Sequence, residues 1–314
     1  MFHKKLCIIT SEWEHGASIA GTSLGPDYIL EAYAKGKENK IEHIPVFKVP
    51  QTAVSTEKLG GPQFLKNGNL LNLHQEKFAH HIAQSLHNGF NCLLLTADHS
   101  NGIGGLSGMC LQVPSQNIGI VWIDAHLDLH SPYTSPSGNS HGMPLNAMLG
   151  DNNVSEALRE IDSETLDLWE KIQLIRGTCE PIPAENIVFI GTRDYEKQEW
   201  SLIQKYGIPI ITPSEITKKG IHECLKMADM RLAHCTSLYI SFDVDALDPS
   251  ISCATGTPVE GGLDQKMAID IVDHFCKDNR TRCIEIAEFN PLLSNPIEMM
   301  QSISSLLDCV FSDD

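Results

Sequence analysis

Eight short apolar runs, rich in Ile, Val and Leu, punctuate the chain: Leu6–Thr10, His43–Phe47, Cys92–Thr96, Ile118–Asp124, Ile187–Gly191, Ile208–Thr212, Leu238–Asp243 and Cys283–Phe289. Short continuous runs of this kind suit strands buried on both faces. Between them the apolar positions fall at helical spacing. Pro26 and Asp27 open a helix over Tyr28–Ala34, Leu73–Leu86 carries another, Asp264 caps one over Met267–Cys276, and Ile297–Val310 closes the chain. Strands alternating with helices predict an α/β fold: a three-layer α/β/α arrangement around a mostly parallel central sheet. Gly60–Pro62 and Ser131–Ser140 read as loops. Asn101–Gly108 is glycine-rich but lacks both GxGxxG spacing and a P-loop lysine, so it reads as a helix that approaches the sheet closely. No repeat or break in composition divides the chain, which predicts one domain over residues 1–314.

Composition narrows the function classes. With 42 % apolar and 20 % charged residues the chain is of the globular type. Its 23 basic residues against 40 acidic ones give a net charge of −17. That argues against nucleic acid, whose binding needs a dense Lys/Arg face. No apolar run approaches the ~18 residues of a membrane span, and Leu6–Ile9 is too short for a signal-peptide core. Ten cysteines are scattered without a CxxC pair, which predicts a reducing, cytoplasmic home.

Four of the apolar runs end in acids or histidine. Cys92–Thr96 leads into Asp98-His99-Ser100, Ile118–Ile123 into Asp124-Ala125-His126-Leu127-Asp128, Leu238–Phe242 into Asp243-Val244-Asp245, and Cys283–Ala287 into Glu288. Parallel sheets bind ligands beyond the carboxyl ends of their strands, so these groups should share one rim. In extended chain Asp124, His126 and Asp128 lie on one face, and Asp243 and Asp245 repeat that spacing. Carboxylates crowded this way repel one another unless cations compensate, and two divalent ions would balance four of them. Oxygen ligands with a little imidazole suit Mn²⁺ better than structural Zn²⁺. Asp243-Val244-Asp245 alone also fits an aspartyl-phosphate loop, but that leaves the Asp124/His126/Asp128 triplet unexplained. Asp248-Pro249 reads as a helix N-cap, and the remaining histidines, His80-His81 among them, read as surface residues on helices.

From about Gly16 to Pro291 the chain resembles the ureohydrolases, and the arginases most closely. The blocks above carry that resemblance, together with Ser137-Gly138-Asn139-Ser140-His141-Gly142, Ser241–Pro249, Ala254–Leu263 and Glu288-Phe289-Asn290-Pro291. The resemblance implies two Mn²⁺ ions, one held by His99, Asp124, Asp128 and Asp243, the other by His126, Asp124, Asp243 and Asp245. It implies attack of a bridging hydroxide on the guanidinium carbon of L-arginine, giving urea and ornithine. Glu288 would hold the guanidinium, Asp128 would hydrogen-bond the hydroxide and His141 would transfer the proton. His130, Ser135, Ser137, Asn139, Glu196 and Thr257 would face the substrate, and the chain would form a trimer or hexamer.

The chain departs from the family pattern in three places. Thr96-Ala97 replaces the usual Gly-Gly, His130 stands where Asn helps to hold the substrate carboxylate, and Glu196 replaces the Asp that binds the α-amino group. The alternatives are an amidino hydrolase acting on formimidoylglutamate or another guanidino compound, agmatine less so, and a metal-binding homologue without turnover. Loss of a ligand, of His141 or of Glu288 would favour the last, and all are present.

Overall fold

The computed structural model describes residues 2–35, 37–51, 59–251 and 253–312. Its elements begin with β1 (Leu6–Ser11), α1 (Gly25–Ala34), α2 (Glu38–Ile41), β2 (Val46–Val49), α3 (Gly68–His87), β3 (Asn91–Thr96), α4 (Gly102–Cys110) and β4 (Ile118–Ile123). There follow α5 (Pro144–Leu149), α6 (Ser163–Gln173), β5 (Ile187–Ile190), α7 (Lys197–Tyr206), β6 (Ile210–Ile211), α8 (Pro213–Lys219) and α9 (Ile221–Arg231). The last are β7 (Ser237–Asp243), α10 (Gln265–Lys277), β8 (Thr281–Ala287) and α11 (Pro296–Val310). The strands form one sheet in the order β2-β1-β3-β8-β7-β4-β5-β6, and every neighbouring pair is parallel.

Side chains of successive strand residues point to opposite faces, so each strand feeds two cores. Ile8, Leu93, Leu95, Val121, Ile240 and Ile284 pack with α1 and with α8 to α11. Cys7, Ile9, Leu94, Ile120, Trp122 and Tyr239 pack with α3 to α7. Burial on both faces is what the continuous apolar runs predict, and the three-layer α/β fold is observed.

Two strands differ from expectation. His43–Phe47 is not the strand; β2 starts at Val46, because pairing with β1 begins where the Pro45 carbonyl accepts the Ile8 N–H. This edge strand is exposed at three of its four positions, Val46, Phe47 and Lys48. The run Ile208–Thr212 yields only Ile210–Ile211, bracketed by Pro209 and Pro213, which have no N–H for a ladder. Asp264 caps α10 as predicted, accepting the Met267 N–H at 2.7 Å. Asp248 caps no helix. Its carboxylate accepts the N–H groups of Ser250, Gly261 and Gly262 and ties two loops together. His74 is also not at the surface: it is fully buried on α3, with Nε2 2.7 Å from Ser11 Oγ.

The glycine-rich α4 is wedged between α3 and β7. A Cβ at Gly108 would meet Ile82 Cβ at 2.7 Å, and one at Gly105 would meet the Tyr239 hydroxyl at 2.0 Å. That hydroxyl is fully buried and donates to Glu285 Oε2 at 2.8 Å. Gly105→Ala is therefore expected to destabilise the fold by about 1–3 kcal/mol, the usual effect of overpacking. Equilibrium denaturation measures it, and an unchanged midpoint would show that α4 can move away from the sheet at no cost.

Candidate metal centre and active-site pocket

The four strands whose ends carry acids or histidine, β3, β8, β7 and β4, are consecutive in the centre of the sheet. Neighbouring strands lie about 4.8 Å apart, so this order alone gathers their ends within one pocket's width. Ile123 lies opposite Phe242 and Asp243 opposite Ala287, which brings Asp124, Asp243 and Glu288 side by side. Asp98 bridges from this rim to the N-terminal segment, accepting the N–H groups of Gly16, Ala17 and Ser100. Asp128 and Glu288 both take left-handed backbone conformations, with φ of 52° and 65°. Residues without that freedom persist there only when surrounding contacts hold them.

His99 Nδ1 lies 3.0 Å from Asp124 Oδ2 and 3.1 Å from both Asp128 Oδ2 and Asp243 Oδ2. One imidazole nitrogen cannot serve three carboxylates with one proton. His99 Nδ1 and Asp128 Oδ2 are buried, close in distance, but not aligned as hydrogen bonds. The opposite nitrogen, Nε2, sits 2.7 Å from Ser241 Oγ, and that hydroxyl donates to Glu285 Oε2 at 2.8 Å. This chain fixes the Nε2–H tautomer of neutral His99 and aims the Nδ1 lone pair at the carboxylates. His99 also stacks on Trp122 at 4.1 Å between ring centres. On the other side, His126 Nδ1 lies 3.1 Å from Asp245 Oδ2 and 3.4 Å from Asp124 Oδ1. Two groups of side chains able to hold a cation result, His99/Asp124/Asp128 and Asp124/His126/Asp245, and Asp124 belongs to both.

The electrostatics agree with a cation-binding role. Burial first, then repulsion from Asp245 and Asp124, pushes Asp243 well above the usual carboxylate range. Burial and Asp124 push Asp128 up to about 6. Burial by itself would lower the His99 pKa, but its contacts with Asp124, Asp128 and Asp243 outweigh that and raise it well above normal. The cluster thus holds protons tightly where a divalent cation would compete for the same lone pairs. The donor set, carboxylate oxygens with one imidazole on each side, suits a hard or borderline divalent metal.

A cavity of about 280 Å³ opens over this cluster, lined by His99, His126, Asp128, Asp243 and Asp245 at its floor. Glu288, buried beside it, accepts the His99 N–H at 2.8 Å and lies 3.3 Å from His141 Nδ1. His141 is a quarter exposed at the rim. Burial would lower its pKa, but Glu288, Asp98 and Asp128 lift it to about 9. The outer wall carries His130, Ser135, Ser137, Asn139, Asp194, Glu196 and Thr257, so each substrate-facing residue expected from the sequence lines the cavity. Thr257 is turned to the floor, however, donating to Asp245 Oδ2 at 2.9 Å. Both ring nitrogens of His130 are engaged: Nε2 lies 3.0 Å from Glu196 Oε2, and Nδ1 lies 3.2 Å from Thr134 Oγ1.

Glu285 escaped the sequence reading. It is fully buried and accepts from Thr96, Tyr239 and Ser241. The available signal was a lone acid inside the apolar run Cys283–Phe289. At the Thr96 departure the threonine hydroxyl supplies one of the Glu285 hydrogen bonds, at 2.9 Å.

The sequence matches the Arginase family over residues 4–310. The chain belongs to the arginase family. Among curated relatives, arginase-1 of Homo sapiens is 32% identical over 306 residues, 95% of this chain and 89% of that protein. The arginase of Bacillus subtilis is 28% identical over 292 residues, covering 93% of this chain and 92% of that protein. The solved arginase of Bacillus caldovelox superposes with a TM-score of 0.84 at 28% identity, covering 99% of both chains. A formimidoylglutamase of Bacillus subtilis superposes with a TM-score of 0.72 at 16% identity, which is likeness of fold only. The chain is an arginase-type hydrolase, of a metal-dependent family whose members act on guanidino C–N bonds. Among the described residues no helix is long and apolar enough to cross a membrane.

Proposed function

We propose that this chain hydrolyses the guanidinium group of L-arginine to urea and L-ornithine, with two Mn²⁺ ions as cofactor. The observation that carries the reading is the pair of His–carboxylate groups sharing Asp124 beside Glu288. His99 and Asp128 would serve one ion, His126 and Asp245 the other, with Asp124 and Asp243 common to both. When bound, the metal pair would lower the pKa of a water so that its deprotonated form can attack a carbon that is otherwise a poor electrophile.

The chain's own residues do the rest. Asp128, held at positive φ, orients the nucleophile. Glu288 receives the guanidinium, a planar cation that a carboxylate pairs with well. His141, protonated at neutral pH, delivers a proton to the departing amine. At the far end Ser135 Oγ accepts the Gly138 N–H and Ser137 Oγ accepts the Asn139 N–H, which leaves both hydroxyl protons free for a substrate carboxylate. Glu196, half-exposed and held ionised by its hydrogen bond with His130, can accept the α-ammonium.

A urea-release screen of the Mn²⁺-loaded protein over arginine, agmatine, guanidinobutyrate and formimidoylglutamate tests this reading. Agmatine has no carboxylate and leaves the serine donors unpaired, at about 1–3 kcal/mol each if buried. Arginine is expected to exceed agmatine by at least ~10²-fold in kcat/KM. Glu196→Ala should raise the KM for arginine, and for agmatine too, because agmatine keeps the same terminal ammonium. Equal turnover of the two substrates, or arginine kinetics indifferent to Glu196→Ala, would overturn the arginine assignment while leaving the metal chemistry standing. Ten free thiols suit a cytoplasmic location, and sedimentation velocity reads the trimer or hexamer expected from the family.

A further inference from the structure

The carboxylate end of the pocket has a shortage of donors. Asn stands at position 130 in the family pattern, where it helps to hold the substrate carboxylate. Here that place is taken by His130, whose two nitrogens already face Glu196 and Thr134. Glu199 closes it off further, lying 3.4 Å from His130 Nε2 while accepting the Leu129 and Glu196 N–H groups. Ser135 and Ser137 remain, each with one proton to give, and neither is charged.

A cation lies on a different segment, against Gly138 and Asn139, the residues that follow Ser137. The turn before α3 packs against Gly138, whose φ of 75° and lack of a side chain permit the approach; a Cβ there would meet Gln63 O at 2.3 Å. The Lys66 N–H donates to the Gly138 carbonyl at 3.0 Å. The Lys66 ammonium donates to Asn139 Oδ1 at 2.9 Å, and Asn139 lines the pocket. Among the described residues no carboxylate lies within ion-pairing distance of Lys66, although the chain carries a net charge of −17. An ammonium has three protons, so two remain after the Asn139 contact.

We propose that Lys66 is a substrate-binding residue that, with Ser135 and Ser137, holds the distal carboxylate of the substrate in place of the donor lost at His130. This rests on the amino-acid substrate proposed above. A charge-assisted hydrogen bond to a carboxylate is among the stronger ones, and at an exposed site it is weakened by salt.

The test compares Mn²⁺-loaded wild type, Lys66→Met and Lys66→Arg in two readouts. In kinetics, Lys66→Met should raise the KM for L-arginine about tenfold with kcat within about twofold, leave agmatine unchanged, and reduce the salt dependence of KM. In calorimetry, it should weaken L-ornithine about tenfold without affecting 1,4-diaminobutane, which has the same amines and no carboxylate. Lys66→Arg should restore both. Wild-type affinity for ornithine in Lys66→Met would overturn the assignment, and so would equal weakening of ornithine and the diamine, which marks a role in loop structure. A wild type that neither releases urea from arginine nor binds ornithine would instead overturn the substrate reading, and Lys66 with it.

Discussion

Asp243→Ala should lose both metal ions and at least ~10³-fold of urea production, the largest effect expected of any single change in the site. Asp243 Oδ2 lies 3.1 Å from His99 Nδ1 in one ligand group, while Asp243 Oδ1 accepts the Asp245 N–H at 2.8 Å and so orients a ligand of the other. Under the proposed ligand set, both sites would therefore depend on one side chain. The metal-free fold should tolerate the change, because Asp243 is a buried acid crowded by Asp245 and Asp124. Its removal relieves repulsion. Metal analysis should show wild type with two ions and Asp243→Ala with essentially none, whereas His99→Ala weakens mainly one. Mn²⁺ at ~100 times its Kd should stabilise wild type by about 2.7 kcal/mol per site and the variant by nothing measurable. Two ions retained in Asp243→Ala would sink the shared-ligand assignment.

His141→Ala should lower kcat by about 10²–10⁴-fold with both ions still bound. His141 belongs to neither ligand group, and its side chain pairs with Glu288. The pH profile separates a proton-transfer role from a structural one. The His141 pKa is lifted to about 9, against the effect of burial, by Glu288 and then by Asp98 and Asp128. The protonated form is the donor, so activity carried by His141 is complete below that value and declines as pH rises through about 9. His141→Ala should have a flat residual rate across that range. A kcat close to wild type, or an alkaline limb that persists in the variant, would remove His141 from the reaction.

Much of this protein is determined locally by its sequence. Strands buried on both faces favour apolar side chains at nearly every position, so β1, β3 and β4 appear as near-continuous runs, while β7 is broken at Ser241 and β8 at Arg282 and Glu285. The acids and histidines follow directly on those runs, because loops leaving the carboxyl ends of parallel strands form the site. The Asp264 cap and the glycines of α4 are equally local. The chain is not extended over Asp124, His126 and Asp128, however: β4 ends at Ile123, residues 124–126 bend and Asp128 is left-handed, so these three meet through that turn and not through strand alternation. Edge strand β2 is not marked in this way: it is exposed on most positions, and its start is set by where β1 pairs with it.

Other features depend on strand order and on which distant segments meet. Nothing in the spacing of residues 99, 124, 243 and 288 says that β3, β8, β7 and β4 are neighbours; the sheet order makes them so. Glu285 looks like a misplaced acid until the hydroxyls of Thr96, Tyr239 and Ser241 converge on it. His130 offers two nitrogens as an isolated residue, but its partner Glu196 lies 66 positions along the chain, and that contact occupies one of them. Lys66 shares no motif with Asn139, 73 positions away, and reaches it only because Gly138 lets the turn before α3 approach. Polar groups so far apart in sequence have no periodicity to reveal their pairing, and the folded chain alone decides which of them meet.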